Sequence, residues 1–333
     1  MNQKDHLYSL DLLRGFSGYG VAFCHLHAFI YNNSHLEYLS LLFVEFFFIL
    51  SGFVLYPQLM QVLNNKKNLL IFYKRRWIRT LPLYFIVLIM VASIFNDEFG
   101  SDFFKYFLFI QKTLPNFLAN DYYPVAWSLS IEEFFYLIFP LIIIFIGKKD
   151  FIKKIIIFFI FLILIKLFFA TKVDSNFFRT GTFFRFDAIL LGFLLRFFYD
   201  TIFKYKFLSA LFLTIFLFVF YYSESYVLTN SEDYIIKVSF IFLLQIISLL
   251  TLNAFILFEP LMRIGFIKNF SIMVSKQTYS VYLIHIIFIY LLEKAQLGFY
   301  ITVFTYILLL FVSSSLIYRF IEKPLLKLRP KLQ

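Results

Sequence analysis

The first apolar stretch of the sequence, LDLLRGFSGYGVAFCHLHAF, carries an arginine, Arg14, and, eleven positions later, a histidine, His25. Ionisable side chains are costly in lipid, and those found there usually face a bundle interior or a cavity and mark a functional site. Eleven residues at about 100° each complete about three turns, so a helix places both residues on one stripe, about 16 Å apart along its axis. Two plainer interpretations stay open: Arg14 extends to the headgroup region, or His25 only fixes helix packing through a hydrogen bond.

Carboxylates occur in two other apolar stretches. Glu45 lies in LLFVEFFFILSGFVL, and Glu132 and Glu133 lie in PVAWSLSIEEFFYLIFP. If both stretches enter the membrane from outside, these carboxylates reach nearly the same depth as His25. A carboxylate beside an imidazole fixes its tautomer and stabilises the imidazolium. We therefore expect Glu45, Glu132 or both to partner His25 in a wet chamber that opens outward.

Three further polar residues receive separate interpretations. The stretch FFRFDAILLG places Arg185 near the expected outer boundary, and we assign Arg185 and Tyr136 to substrate binding. His285, in TYSVYLIHIIF, is interpreted as a packing hydrogen bond between helices. His25 and His27 diverge by about 200° on a helix, so the sequence does not favour a metal site there.

Two arginines in the basic segment KRRWIRTLP, Arg76 and Arg79, are three positions apart. On a helix they share a face. Two guanidiniums on one face suit a phosphorylated ligand, because their planar forks match phosphate oxygens. The alternative interpretation is that this segment only anchors the chain to lipid headgroups and sets its topology.

The composition places these residues in a membrane protein. The chain has 333 residues, of which 61% are hydrophobic and 15% charged, and its mean hydropathy is +0.81. Soluble domains are about half apolar and about a quarter charged. Helices satisfy their own backbone in lipid, so continuous apolar runs predict an all-α polytopic protein of about ten transmembrane helices, forming one domain over 1–333. The predicted spans are 10–31, 39–60, 80–95, 127–146, 153–170, 184–199, 205–222, 233–257, 278–293 and 299–320.

The net charge of +11 is not spread evenly over the segments that connect the apolar runs. Basic residues concentrate in 66–79, 148–154 and 319–331, whereas 96–126 and 223–233 are acidic or near neutral. Basic loops stay on the cytoplasmic side, so both termini are predicted to be cytoplasmic in a multi-pass protein of the cytoplasmic membrane. This pattern accounts for most of the positive charge and disfavours nucleic-acid binding.

Taken together, these stretches resemble the acyltransferase-3 family of membrane acyltransferases, which includes O-acetylases of surface polysaccharides. The matching stretches follow the family order across nearly the whole chain. They are LDLLRGFSGYGVAFCH, VEFFFILSGFV, RRWIRTLPLY, WSLSIEEFFYLIFP, FRFDAILLG, TYSVYLIH and IEKPL. The resemblance implies an acyl-CoA donor, usually acetyl-CoA, that approaches from the cytoplasm. It also implies a carbohydrate hydroxyl at the outer side as acceptor.

The resemblance assigns roles residue by residue. His25 matches the catalytic histidine of the family, and Arg14 matches its essential arginine partner. Arg76 and Arg79 match its cytoplasmic arginine pair, and Glu132 matches the glutamate of its Trp-Ser-Leu motif. Some relatives carry an appended extracytoplasmic esterase-like domain. The sequence ends soon after the tenth run, so we expect an acyl relay through such a domain to need another protein.

The predicted mechanism is general-base acyl transfer without a metal. His25 takes the proton of the acceptor hydroxyl, Glu45 or Glu132 stabilises the imidazolium, and the three arginines hold the donor phosphates. Glu45 departs from the family, where aspartate is commoner, and a covalent acyl-histidine stays open as an alternative. The main rival function is a transporter or flippase of lipid-linked sugars, with the buried charges as a proton relay. Transporters usually show internal repeats, and none is evident here. A second rival is a polysaccharide polymerase, which we expect to have larger outer loops.

Overall fold

The computed structural model describes residues 6–32, 34–95 and 100–332. Every regular element in this described part is helical, with short 3-10 segments and one π-helical turn between longer α-helices. The α-helices are α1 (Tyr8–Tyr31), α2 (Ser34–Asn64), α3 (Asn68–Phe95), α4 (Ser101–Phe107), α5 (Trp127–Ile146), α6 (Phe151–Phe169), α7 (Ser175–Thr180), α8 (Phe186–Phe197), α9 (Tyr199–Ile202), α10 (Lys206–Thr229), α11 (Tyr234–Phe255), α12 (Glu259–Met262), α13 (Gly265–Ala295), α14 (Phe299–Ile317) and α15 (Lys323–Lys327).

A helix lies at each of the ten predicted apolar runs. Within the described residues, seven helical stretches are long and apolar enough to cross a membrane, which confirms an all-α integral membrane protein. They contain α2, α3, α5, α10, α11, α13 and α14. The helix at the sixth run, α8, has 12 residues and is about 18 Å long, less than a bilayer core. The count of ten spans and the cytoplasmic termini stay predictions, and 96–99, used in the charge pattern, lie outside the described residues.

The described chain divides into two compact units. The first unit comprises Met1–Leu50, Phe198–Tyr226 and Phe242–Ile321. The second unit comprises Ser51–Phe197, Val227–Ile241 and Glu322–Gln333. The prediction of a single functional domain over 1–333 stays a prediction.

In the first unit, α1 packs along α13, and α13 also packs on α14. Small residues make the first contact close, because a Cβ atom on Gly18 would lie 2.6 Å from Thr278 Cγ2. One side of a membrane helix pair commonly carries such residues, since they let the backbones approach. The Tyr306 hydroxyl on α14 donates a hydrogen bond to the Ala22 carbonyl oxygen at 2.9 Å, which joins α14 to α1 one turn beyond Gly18. The outcome is a fixed register between α1 and α13.

In the second unit, the backbones of α2 and α8 meet at Gly52. A Cβ atom there would overlap the carbonyl oxygen of Ile189, so only glycine fits. The neighbouring contact of α3 with α5 is fixed by the Tyr73 hydroxyl, which donates to the Leu137 carbonyl oxygen at 2.8 Å. The last helix, α15, packs on α3. Helix α3, which carries Arg76 and Arg79, is therefore in contact with both α5 and α15.

The connection between α3 and α5 is ordered by a carboxylate at its start. Asp102 accepts hydrogen bonds from the Lys105 ammonium at 2.8 Å and from the backbone N–H groups of Asn120 at 2.7 Å and Ala119 at 3.0 Å. Burial alone would raise the pKa of Asp102, but these donors and the lysine charge lower the pKa below its ordinary value. The ionised carboxylate therefore closes this loop.

Candidate active site

Two histidines of the first unit form a hydrogen-bonded chain. His25 Nδ1 on α1 lies 2.9 Å from His285 Nε2 on α13. His285 Nδ1 in turn lies 2.7 Å from the carbonyl oxygen of Tyr282, and the His285 side chain is fully buried. The ring centroids are 5.2 Å apart and the ring planes meet at 29°, as in two imidazoles joined edge to edge by this hydrogen bond. The register of α1 on α13 therefore brings the predicted catalytic histidine onto a second imidazole.

When both rings are neutral, the hydrogen-bond network assigns their tautomers. A carbonyl oxygen only accepts, so His285 Nδ1 carries a proton that it donates to Tyr282. His285 Nε2 then has a lone pair and accepts from the Nδ1–H of His25. The basic lone pair of His25 consequently lies on Nε2. An imidazole fixed in this tautomer is suited to take a proton or to act as a nucleophile.

The sequence predicts a packing hydrogen bond between helices for His285 but does not predict His25 as its partner. The two histidines are 260 positions apart. Periodicity within one helix cannot reveal which residue of another helix faces it. The motif TYSVYLIH drew attention to the stretch but not to this partner.

The other predicted residues of the first unit lie on α1 and α2. Arg14 and His25 share the continuous helix α1, as predicted, and Arg14 is half-buried. Glu45 lies on α2 and is 2% exposed. His27 has aromatic neighbours, with the Phe299 ring centroid at 5.9 Å, in keeping with a structural role. Among the residues described, no group of three or more His, Cys, Asp and Glu side chains could hold a metal ion.

A polar cluster in the second unit forms around α5. Glu132 accepts hydrogen bonds from the Ser51 hydroxyl at 2.5 Å and from the Tyr136 hydroxyl at 2.9 Å. The Arg76 guanidinium lies over the Tyr136 ring, 5.1 Å from its centroid. Glu133 is also buried and interacts electrostatically with Arg76. The structure therefore brings three predicted residues together: a carboxylate, a phenol and a guanidinium.

Arg76 is the most deeply buried of the predicted donor-binding arginines, with 6% of its side chain exposed. Within the described part of the chain, its Nε and Nη2 atoms have no hydrogen-bond partner. Arg79, on the same helix as predicted, is close enough to interact electrostatically with it. A buried cation with open donors is costly unless an anion compensates it, so this edge of the guanidinium suits a phosphate.

Arg185 lies in the 3-10 turn that precedes α8 and is 1% exposed. Two positions later, Asp187 forms a buried ion pair with Lys166 of α6. The sequence placed Arg185 near the outer boundary but gave no sign of this pair. The turn is therefore built around buried charges rather than around apolar packing alone.

The model of the acyltransferase-3 family, described as an acyltransferase domain, matches residues 7–319. The chain belongs to this family. Membership confirms the resemblance drawn from the motifs and implies an acyl donor and an acceptor. The roles of individual residues stay predictions.

Relatives agree with the family assignment. The O-acetyltransferase OatA of Staphylococcus aureus (strain NCTC 8325 / PS 47) is 29% identical over 371 residues, which cover 98% of this chain and 58% of OatA. The chain thus spans less than two thirds of the length of that relative. A protein of Haemophilus influenzae is 33% identical over 158 residues, which cover 41% of this chain and 62% of that protein. No solved structure matches the chain.

Proposed function

We propose that this family member transfers an acyl group from acyl-CoA to a hydroxyl of a cell-surface or lipid-linked carbohydrate. The proposed acyl group is acetyl. The observation that supports a transferase most directly is the hydrogen-bonded chain from Tyr282 through His285 to His25. It leaves a defined basic lone pair on an imidazole within an acyltransferase domain. The full-chain similarity to an O-acetyltransferase supports the acetyl group and the hydroxyl acceptor.

His25 is proposed as the general base. Its Nε2 takes the proton of the acceptor hydroxyl while the oxygen attacks the thioester carbonyl. The tetrahedral intermediate then collapses, the C–S bond breaks, and the imidazolium returns its proton to the CoA thiolate. His285 holds the ring through its neutral Nε2 acceptor throughout the cycle.

The carboxylates receive separate roles in this proposal. Glu45 supplies negative charge that stabilises the imidazolium of His25. Glu132 holds the Tyr136 hydroxyl beside Arg76 and thereby orders the polar cluster of the second unit.

Arg14, Arg76 and Arg79 are proposed to bind the donor phosphates. The open Nε and Nη2 edge of Arg76 supports this role, since two parallel N–H groups can bind one phosphate group. Arg14 and His25 lie on one helix, about 16 Å apart along its axis. An extended pantetheine arm could cover that rise and carry the thioester from the arginine level to the histidine level.

Further substrate contacts and the membrane topology complete the proposal. Arg185 and Tyr136 are proposed to bind substrate, and Tyr136 lies beside Arg76 of the proposed donor site. Ten helices span the cytoplasmic membrane in this proposal, and both termini are cytoplasmic. Alternating reporter fusions in the connections test the topology. The predicted topology places the connection 223–233 outside the cytoplasm. Activity of a reporter that works only in the cytoplasm, when fused in this connection, would contradict the topology.

The test of function compares the ester content of surface glycans in cells that express wild type, His25→Ala or Arg76→Ala at matched levels. Loss of a general base lowers the rate about 10²- to 10⁴-fold, so we expect ester groups to vanish in His25→Ala. His27→Ala is the matched control, because His27 is on the same helix and packs against aromatic rings.

Mass spectrometry of the released glycan identifies the acyl group. Unchanged ester content in His25→Ala would refute the role of His25 as base. Translocation of lipid-linked sugar that consumes no acyl-CoA would favour the transporter instead.

A further inference from the structure

The C-terminal segment of the chain is fixed against α3 in the second unit. Arg75 Nη1 donates to the Pro330 carbonyl oxygen at 2.6 Å. Just before this contact, the backbone turns, because the Leu328 N–H donates to the Leu325 carbonyl oxygen at 3.0 Å. This segment follows the region matched by the family model, which ends at residue 319. Its basic residues were interpreted from the sequence only as a topology signal.

The turn brings a fourth guanidinium, Arg329, to the three on α3. Burial, together with the positive charges of Arg79, Arg75 and Arg76, lowers the pKa of Arg329 to about 10. Four like charges in one partly buried place repel one another. Glu132 and Glu133 offset part of the charge of Arg76. Among the described residues, no such carboxylate interaction is established for Arg75, Arg79 or Arg329, and the crowding of four guanidiniums is therefore explained more readily by a bound polyanion than by folding alone.

The open hydrogen-bond donors point the same way. The Nε atoms of Arg75, Arg76 and Arg329 are all buried and have no hydrogen-bond partner within the described residues, and Arg76 Nη2 shares this property. The Nε–H and an adjacent Nη–H form the edge of a guanidinium that binds two oxygens of one phosphate. Arg76 offers such an edge from a side chain that is 6% exposed.

We propose that Arg75 and Arg329 complete, with Arg76 and Arg79, a four-arginine site for the phosphates of the acyl-CoA donor. The inference rests on the proposed function and extends it to two residues that the family resemblance does not assign. A nucleotide with a diphosphate and a further phosphate carries roughly three to four negative charges at neutral pH, since the second phosphate pKa is near 6. Arg329 thereby determines specificity for the phosphorylated end of the donor.

The test compares two donors on the full-length protein in nanodiscs of zwitterionic lipid. Acetyl-CoA carries the phosphates, whereas acetyl-pantetheine carries the same thioester without them. For Arg329→Ala we expect kcat/KM with acetyl-CoA to fall about 10- to 100-fold, mainly through KM, as is typical for a lost charge-assisted bond. With acetyl-pantetheine we expect no change beyond about twofold.

Matched controls come from the same segment. Lys327 and Lys331 are exposed basic residues on either side of Arg329, and their alanine variants are expected to match wild type with both donors. Arg329→Lys keeps a point charge but not the fork and should show an intermediate loss. Equal losses of Arg329→Ala with both donors would overturn the proposal, because the side chain would then act through the fold.

Direct binding of CoA, measured without acceptor, separates this proposal from the proposed function. Failure of wild type to bind CoA would refute the donor assignment altogether. Binding that Arg76→Ala weakens and Arg329→Ala does not would overturn only the four-arginine site. An effect of Arg329→Ala seen solely in nanodiscs with anionic lipid would identify a lipid headgroup as the phosphate that this arginine binds.

Discussion

Replacement of His285 by phenylalanine tests the tautomer assignment of His25. Phenylalanine keeps a flat, slightly larger ring at this fully buried position but cannot accept the hydrogen bond that His285 Nε2 accepts from His25 Nδ1 at 2.9 Å. The Nδ1–H of His25 then loses its acceptor, or the proton moves to Nε2 and removes the basic lone pair. Loss of the acceptor destabilises the Nδ1–H tautomer relative to the Nε2–H tautomer, which lowers the fraction of His25 whose Nε2 can act as base.

The size of the effect follows from the hydrogen bond. A buried donor left without its acceptor costs about 1–3 kcal/mol. If this cost appears in the transition state, kcat falls about 5- to 150-fold, because 1.36 kcal/mol corresponds to a factor of ten. The KM for acyl-CoA should be unchanged, since His285 is assigned no contact with the donor.

Steady-state kinetics with acetyl-CoA and a purified acceptor glycan measure the two parameters. His285→Gln is the matched control, because its amide oxygen can accept the same hydrogen bond and should recover part of kcat. Thermal unfolding of each variant shows whether the fold is intact. A folded His285→Phe variant with wild-type kcat would refute the orienting role of His285, and so would a loss confined to KM.

Three further predictions concern the second unit. Gly52→Ala should lower the thermal stability by at least about 1–3 kcal/mol, because the new methyl group meets the backbone of Ile189; a Tm equal to wild type would contradict the close approach. Lys166→Ala should destabilise the protein by about 3–5 kcal/mol, since it leaves Asp187 charged and buried; chemical unfolding measures this, and Lys166→Ala/Asp187→Ala should recover part of the loss. Because the pKa of Asp102 is lowered from its ordinary value of 3.8, its stabilising contribution is complete above that pH and is lost as the pH falls through the native pKa. Limited proteolysis of the connection should therefore increase in acid for wild type, and Asp102→Asn should be cleaved alike at all pH values.

The sequence predicted positions within helices better than pairings between them. The stripe of Arg14 and His25 and the shared helix of Arg76 and Arg79 needed only the period of a helix, and both placements agree with the structure. Hydropathy marked the apolar run at α8 but not its length of 12 residues. A 3-10 turn with buried Arg185 replaces the first part of that run, and hydropathy does not distinguish the two kinds of helix.

The missed residues share one cause. His285 pairs with a residue 260 positions away, and Arg329 joins arginines of α3 only because the chain returns there after its last long helix. Charge counts assigned Arg329 to the same topology signal as its exposed neighbours. Arg329 differs from its exposed basic neighbours only in being partly buried, and burial depends on contacts between segments that are distant in sequence.

The hydrogen bond from Arg75 to Pro330 bears on how the protein should be handled in the laboratory. A purification tag joined after Gln333 would begin four residues beyond Pro330. An aspartate-rich epitope at that place would act as a tethered competitor, and its local concentration would be high enough to mimic a weakened donor affinity. Donor affinities should therefore be measured after such a tag has been cleaved, and the difference before and after cleavage reports how close the tail lies to the site.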